Sequence, residues 1–115
     1  MPSYKAPLRD MHFILFDVLK VQDSCNAMAA YAEAAPDVVT AILEEAGRFC
    51  ENILQPINRS GDEEGCHFEQ GAVTTPKGFK EAYNKYVEGG WTGLTCDPQF
   101  GGQGLTSPVN FAVQE

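Results

Sequence analysis

The sequence is short of positive charge and of long apolar runs. Its 115 residues include eight Lys plus Arg against sixteen Asp plus Glu, which gives a formal net charge of −8 at pH 7. A phosphate backbone or an anionic lipid surface would be repelled by this charge, so we expect no nucleic acid and no membrane among its partners. The apolar runs, such as residues 13–16, fall far below the roughly 20 residues that span a bilayer.

The first residues also lack the features of a secretory signal. An amphipathic stretch containing Asp10, His12 and Asp17 stands where an apolar segment and a small-residue cleavage site would be needed. We therefore expect a cytoplasmic protein. A hydrophobic content of 43% is ordinary for a globular chain, and the length predicts one domain and excludes a large multi-domain enzyme.

Cysteine occurs four times but in no metal-binding pattern. Cys25, Cys50, Cys66 and Cys96 form no C-x-x-C pair, and His67 is the only histidine beside any of them, so structural zinc is disfavoured. Four cysteines could form two disulfides in three pairings. Without a secretory signal we expect reduced thiols, mostly buried as small hydrophobic side chains.

Apolar periodicity predicts helices in the first half of the chain. A helix over residues 7–21 has apolar side chains on more than one side, which indicates contact with something outside its own domain. An Ala-rich helix capped by Asp23 or Ser24 should extend to residue 34. The strongest amphipathic pattern follows Pro36, and the helix should kink or end near Gln55 because Pro56 has no N–H to donate.

The second half alternates between glycine-rich stretches and helices. We expect a long Gly-rich loop over residues 58–78, a helix over 79–87 and a turn-rich segment over 89–104, which holds six of the eleven glycines. Ser107 should cap a last helix with Pro108 at its first position. That helix has no stop signal before Glu115, so the predicted fold is all-α with a truncated last helix.

Few side chains in this sequence suggest chemistry. The cluster Gly101, Gly102 and Gly104 precedes a helix and could bind an anion through backbone N–H groups, but its spacing fits no nucleotide motif, so a structural turn is favoured. The single Trp91 is expected to fill space between a loop and a helix end, with an interface anchor as the alternative.

The histidines and the acidic cluster also favour structural interpretations. His12 and His67 stand at no recognisable catalytic spacing and are expected to be surface or hydrogen-bonded residues. Cys66 has acidic neighbours and lacks the local positive field that a reactive cysteine needs. Asp62, Glu63 and Glu64 form an acidic cluster that lacks the ligand spacing of a calcium-binding loop. We therefore expect a solvated acidic turn there.

Three separated stretches resemble the N-terminal helical domain of acyl-CoA dehydrogenases. Residues 4–11 resemble the extra N-terminal segment of a longer subgroup that includes 3-methylmercaptopropionyl-CoA dehydrogenase-like proteins, and residues 56–65 resemble a loop of that subgroup. The third stretch, from Tyr83 to Leu105, resembles the domain's Gly-apolar-Pro pattern and its Gly-Gly-x-Gly-Leu turn, on Gly90, Trp91, Gly93, Leu94, Pro98, Phe100, Gly101, Gly102, Gly104 and Leu105.

The resemblance implies a domain organisation and an activity. Residues 1–35 would form an N-terminal extension with one or two helices, and residues 36–115 would form part of the helical domain. The enzymes of this family use FAD, and a glutamate base removes the α-proton of an acyl-CoA while the β-hydride passes to flavin N5. The flavin-binding β-domain, this base and most of the acyl-chain wall would follow Glu115. No catalytic, cofactor-binding or metal residue is therefore assigned here.

Two hypotheses follow for the chain as a whole. As the N-terminal fragment of an FAD-dependent dehydrogenase it would be inactive alone and bind no FAD. Its implied partners are its own remaining domains, an acyl-CoA, an electron-transfer flavoprotein and further copies of itself. Apolar surface around Phe111 and Val113 would then favour self-association. The alternative is a stand-alone acidic helical module that binds another protein through the face bearing Leu8, Met11, Phe13 and Phe16.

Overall fold

Helices account for most of the fold. A computed structural model describes residues 3–32 and 34–115, and within them six α-helices are joined by turns and one β-hairpin, which confirms the all-α class. The elements are α1 (Leu8–His12), which continues as a π-helical turn (Phe13–Val18), α2 (Val21–Asn26), α3 (Pro36–Phe49), a second π-helical turn (Cys50–Leu54), α4 (Gln55–Glu64), β1 (His67–Glu69), β2 (Ala72–Thr74), α5 (Phe79–Glu88) and α6 (Ser107–Gln114), with 3₁₀ turns at Ala29–Tyr31, Trp91–Gly93 and Pro98–Phe100. Among the described helices, none is long and apolar enough to cross a membrane.

The core lies where the first π-helical turn, α3 and α6 meet. Leu15, Val39, Leu43 and Val109 are buried there, and Leu43 and Val109 are each only 1% exposed. Partly buried side chains surround this cluster, namely Leu8, Met11, Phe16, Val21, Ile42, Leu105, Ala112 and Val113. Since α6 supplies Val109, the last helix is part of the core.

The molecule is extended for its length. Its radius of gyration is 16.9 Å, whereas a compact domain of 115 residues has about 13 Å. Its accessible surface is 8157 Å², whereas a compact monomer of this mass exposes about 6,200 Å². Much of the chain is therefore not covered by its own elements.

The second helix differs from the predicted one. Lys20 adopts a left-handed conformation with φ 49° and starts α2 at Val21, so Asp23 and Ser24 lie inside the helix and cap nothing. The helix ends at Asn26, and only a single 3₁₀ turn follows, because alanine side chains offer little apolar surface to hold a helix against the core. Glu33, inside the predicted helix, and Met1 and Pro2 lie outside the described residues.

The long helix continues past Pro56. The π-helical turn Cys50–Leu54 lies directly before α4, where Pro56 stands in the first turn. An i→i+5 hydrogen-bond pattern at this point lets the backbone pass a residue that has no N–H. The chain is therefore helical to Glu64, and the predicted loop is wrong over residues 58–64.

A β-hairpin occupies most of the rest of the predicted loop. Strands β1 and β2 pair antiparallel with Phe68 opposite Val73, and both side chains are exposed. Gln70 and Gly71 between them have φ of 50° and 80°, the left-handed pair that a two-residue hairpin turn requires. The long Gly-rich loop over residues 58–78 is thus replaced by helix and hairpin.

The last two helices lie close to the predicted positions. Helix α5 confirms the prediction over residues 79–87, although Tyr83 on its apolar face is exposed. Helix α6 starts one residue before the predicted position, with Thr106 at the N-cap instead of Ser107. The Thr106 side chain caps no backbone N–H, and its Oγ1 is buried without a hydrogen-bond partner among the described residues.

Candidate functional site

A cavity lined by four aromatic side chains opens among the described residues, and we call it the aromatic cavity. Its volume is about 380 Å³, and its aromatic lining comes from Tyr4, Phe49, Tyr86 and Trp91. The Phe49 ring centroid lies 6.1 Å from that of Tyr86 and 6.3 Å from that of Trp91, so these three rings form one tilted cluster. The remaining lining residues are Ala46, Cys50, Leu54, Gln55, Asn58, Val113, Gln114 and Glu115.

Glu51 attaches the N-terminal segment to one side of this cavity. The Ala6 backbone N–H donates to Glu51 Oε1 at 3.1 Å, and Lys5 Nζ lies 3.8 Å from Glu51 Oε2. The same segment approaches α3 at Gly47, where an added Cβ would lie 3.0 Å from Ala6 Cβ. This close contact explains how Tyr4 comes to line the cavity.

Two titratable groups of the cavity are held in their neutral forms. Burial raises the pKa of Cys50, and the Glu51 carboxylate adds to this effect. Burial also raises the pKa of the Tyr4 hydroxyl, with further contributions from Cys50, Glu51 and Glu115. A cavity whose thiol and phenol are both neutral offers no activated nucleophile.

A hydrogen bond between two lining residues of the aromatic cavity links helices α5 and α6. Gln114 Nε2 donates to the Tyr86 hydroxyl oxygen at 3.3 Å, which connects α6 to α5. The aromatic cavity adjoins an apolar groove of about 310 Å³ between α4 and α5, which we call the α4–α5 groove. The α4–α5 groove shares Leu54, Asn58 and Tyr86 with the aromatic cavity and adds Ile57, Phe79, Ala82 and Tyr83.

A third apolar opening lies between the first π-helical turn and α6. This α1–α6 groove has a volume of about 290 Å³ and is lined by Met11, Ile14, Leu15, Leu19, Pro108, Phe111, Ala112 and Glu115. Ile14, Leu19 and Phe111 are exposed, and Phe111 is 72% exposed. The predicted exposure of apolar surface at Phe111 is confirmed, whereas Val113 is half-buried against the core.

The glycine cluster forms a closed turn. Gly101 N–H donates to the Pro98 carbonyl, Gly102 N–H to that of Asp97, and Gly104 N–H to that of Cys96, at 2.9–3.1 Å. These N–H groups are therefore not available to an anion. A Cβ on Gly102 would collide with the Cys96 carbonyl, so the turn needs glycine there. The expected structural turn is confirmed.

The other residues singled out from the sequence are scattered. His67 is exposed at the start of β1, next to the exposed Cys66. His12 was expected at the surface or hydrogen-bonded, but its Nε2 is buried without a partner among the described residues. Its ring lies edge-on to that of Phe16, with the ring centroids 5.8 Å apart.

The acidic cluster belongs to a helix end. Glu63 accepts from Arg59 Nε at 2.8 Å, and Glu64 accepts from the Lys77 backbone N–H at 3.1 Å. The predicted solvated turn is therefore wrong in conformation, since Asp62, Glu63 and Glu64 complete the last turn of α4, although all three are exposed. Across residues 3–32 and 34–115, no group of three or more His, Cys, Asp or Glu residues could hold a metal ion.

The cysteines are all free thiols, as expected, but most are not buried. Cys25 is buried and its pKa is raised by burial, Cys50 is half-buried, and Cys66 and Cys96 are exposed. The expectation of mostly buried thiols is wrong because Cys66 and Cys96 lie in connections outside the helices, on the surface of the molecule. Because both thiols are exposed, they can serve as internal controls in thiol labelling.

Sequence reasoning identified only part of the cavity. Trp91 was expected to fill space, and it does pack against Phe49 and beside Gly89, but it also lines an opening. Periodicity in the sequence places Phe49 and Tyr86 on the apolar faces of their helices, but it carries no signal that the two faces meet. Tyr4 reaches the cavity through the Glu51 contacts, which no local pattern predicts.

Comparison with known proteins places this arrangement in context. The chain is 38% identical over 113 residues to the 3-methylmercaptopropionyl-CoA dehydrogenase of Ruegeria pomeroyi, covering 98% of this chain and 19% of the relative. It is 34% identical over 103 residues to a butyryl-CoA dehydrogenase of Syntrophomonas wolfei, covering 85% and 16%. It is 28% identical over 117 residues to the broad-specificity linear acyl-CoA dehydrogenase FadE5 of Mycobacterium tuberculosis, covering 100% and 19%. No protein-family model matches.

These relatives share one class, since all three are named as acyl-CoA dehydrogenases, which are oxidoreductases. The chain is similar to acyl-CoA dehydrogenases over nearly its whole length. It spans about a fifth of the length of the curated relatives that it matches.

Proposed function

We propose that this chain is the N-terminal helical segment of an FAD-dependent acyl-CoA dehydrogenase, the enzyme class that introduces a double bond between the α and β carbons of an acyl-CoA. Residues 1–35 would be its N-terminal extension and residues 36–115 part of its helical domain. The observation that carries the proposal is the 38% identity over nearly the whole chain to one fifth of a longer dehydrogenase. A mainly helical fold with a closed Gly-Gly-x-Gly turn before α6 agrees with it.

The residues of this segment do not fit a flavin by themselves. The N–H groups of the glycine turn are bonded within the turn, so they cannot hold a pyrophosphate. The thiol and phenol of the aromatic cavity are neutral, and the net charge of −8 opposes an anionic cofactor. We therefore assign the segment a structural role, and we propose that the chain alone lacks activity and binds no FAD.

The partners of the whole enzyme are part of the same proposal. They are an acyl-CoA, an electron-transfer flavoprotein, the remaining domains and further copies of the subunit, in the cytoplasm. The acyl-CoA is supported by the names of the relatives. The exposed apolar groove between α1 and α6 supports association, and sedimentation velocity across a range of concentrations should show self-association of the isolated chain. A monomer at every concentration would count against the proposed self-association.

A chimera tests the function directly. The matched fifth of the Ruegeria 3-methylmercaptopropionyl-CoA dehydrogenase would be replaced by this chain, and flavin absorbance and acyl-CoA-dependent dye reduction would be measured. We expect a flavin-loaded, active chimera and no flavin or activity in the isolated chain. A control enzyme would receive the matching segment of the Syntrophomonas dehydrogenase instead. A chimera that is unstable and flavin-free, while this control is stable and contains flavin, would contradict the proposal.

The interaction-module alternative retains one supporting observation. Phe13, Ile14, Val18 and Leu19 remain exposed on the first π-helical turn and at its C-cap. However, Leu8, Met11 and Phe16, three of the four residues assigned to its binding face, pack against the core. Removing residues 109–115 should destabilise the chain because Val109 is 1% exposed, whereas a module with a frayed end would scarcely change.

A further inference from the structure

We propose that the aromatic cavity is the docking site for apolar side chains from the rest of the dehydrogenase polypeptide, the part of its relatives that this chain does not match. This inference rests on the proposed function and specifies the surface through which the segment joins the enzyme. It assigns Tyr4, Phe49, Tyr86 and Trp91 to an intramolecular interface, with the α4–α5 groove as its continuation.

The size of the opening is the first argument. Protein interiors are packed to the density of organic crystals and contain few voids larger than a water molecule. The aromatic cavity has a volume of about 380 Å³, and the adjoining groove has about 310 Å³. Openings of this size, lined mainly by aromatic and aliphatic side chains, match the volume of several large apolar residues.

The surface area is the second argument. The chain exposes 8157 Å², which exceeds the roughly 6,200 Å² of a compact monomer of this mass. The difference is larger than the roughly 800 Å² that each partner buries in a standard protein interface. The molecule therefore has enough uncovered surface for a stable interface, and the longer relatives have enough additional chain to cover it.

The chemistry of the lining selects a polypeptide over a charged small molecule. The Tyr86 hydroxyl already accepts a hydrogen bond from Gln114 Nε2, and Cys50 and Tyr4 are held neutral by their surroundings. Leu54 is 40% exposed between the two openings and makes the lining continuous. The lining also contains Gln55, Asn58, Gln114 and the Glu115 carboxylate, so it suits a polypeptide that brings mainly aliphatic and aromatic side chains together with some polar groups.

Thiol labelling of the unmodified sequence tests this placement. The isolated chain and the chimera described above would be treated under native conditions with N-ethylmaleimide at one pH, and modification of each cysteine would be followed by peptide mass spectrometry. Cys50 lines the aromatic cavity, whereas Cys66 and Cys96 are exposed and outside it, so they serve as internal controls. We expect Cys50 to react at least tenfold more slowly in the chimera than in the isolated chain. Cys66 should keep its rate.

Other outcomes would overturn the inference. Equal labelling of Cys50 in both proteins overturns it, and if that chimera is active the proposed function still stands. Protection of Cys50 in an inactive chimera supports the docking site and counts against the function. Protection of the isolated chain that increases with its own concentration would assign the cavity to a second copy. Protection that requires added octanoyl-CoA would assign it to the acyl group.

A pair of variants provides a second readout. Cys50→Phe fills the aromatic cavity, whereas Cys66→Phe places the same side chain on the exposed connection before β1. The two chains would be mixed with the Ruegeria enzyme lacking its matched fifth, and binding would be measured by surface plasmon resonance. We expect Cys50→Phe to weaken binding at least tenfold relative to Cys66→Phe. Equal affinities, with both variants showing native circular dichroism, would contradict the docking site.

Discussion

Helix α3 and the π-helical turn that follows it carry one apolar stripe, whose two ends are covered to very different extents. Val39 and Leu43 are 3% and 1% exposed beneath the first π-helical turn and α6. One to three turns further along, Phe49 and Leu54 face a cavity of about 380 Å³, and Leu54 is 40% exposed. A continuous hydrophobic pattern in the sequence therefore reports only that a surface is to be buried, not which polypeptide covers it.

The largest expected effect separates these two regions directly. Leu43→Ala removes a fully buried side chain from the core and should lower the free energy of unfolding by about 2–5 kcal/mol. Leu54→Ala is the matched control at the open end and should cost about 1 kcal/mol or less in the isolated chain. Urea denaturation followed by circular dichroism measures both. Equal losses would contradict the division into a closed and an open region.

The glycine turn connects the two regions, since Gln103 N–H donates to the Gly93 carbonyl and Leu105 N–H to the Leu94 carbonyl. Gly102→Ala would drive a Cβ into the Cys96 carbonyl and should cost about 3 kcal/mol. Gly101→Ala has free space around it but a φ of +87°, so it should cost only about 1–2 kcal/mol. The midpoint temperature of thermal unfolding should be lower for the Gly102 variant than for the Gly101 variant. A Gly102 variant as stable as the Gly101 variant would show that the turn can open.

A smaller effect concerns charge at the open end. Glu51→Gln removes a carboxylate that raises the pKa of Cys50, so this pKa should fall and the thiolate fraction at a fixed pH below it should rise. We expect faster alkylation of Cys50 across pH 7–9, measured by mass spectrometry. Glu81→Gln on exposed α5 is the control and should leave the rate unchanged. A slower rate in the Glu51 variant would contradict the assigned cause.

The smallest expected effect lies on the solvent face of α3. Arg48 pairs with Glu44 at 3.7 Å and Glu45 at 2.7 Å, and its side chain is 62% exposed. Arg48→Ala should therefore change the free energy of unfolding by less than about 1 kcal/mol. Chemical denaturation at low salt and at 1 M NaCl measures the free energy of unfolding of the variant and of the parent chain. The difference between these two free energies should shrink at high salt. A larger loss would mean that this face also supports the core.

Sequence reasoning worked where local patterns determine structure. The helix after Pro36, helix α5 and the glycine turn follow from periodicity and from the conformational needs of glycine. At Pro56, where the pattern predicts a kink or an end, the helix does not end, because a π-helical turn lets it continue. Sequence reasoning also missed the hairpin, because its strands have three residues each and a Gln-Gly turn gives a weaker signal than Asn-Gly.

The aromatic cavity could not be predicted in the same way. Phe49, Tyr86 and Trp91 come together through the packing of α3, α5 and the turn after α5, and Tyr4 through a long-range hydrogen bond from Ala6 to Glu51. Each is a tertiary contact between residues far apart in the sequence, so no window of local pattern contains it.

The most direct test of the central claim is the source gene sequence beyond the codon for Glu115. We predict that the reading frame continues into a β-rich domain and a second helical bundle that carries a glutamate suited to act as the base. A stop codon directly after Glu115 would contradict the account, because the open surface around Phe49 and Trp91 would then need a separate partner.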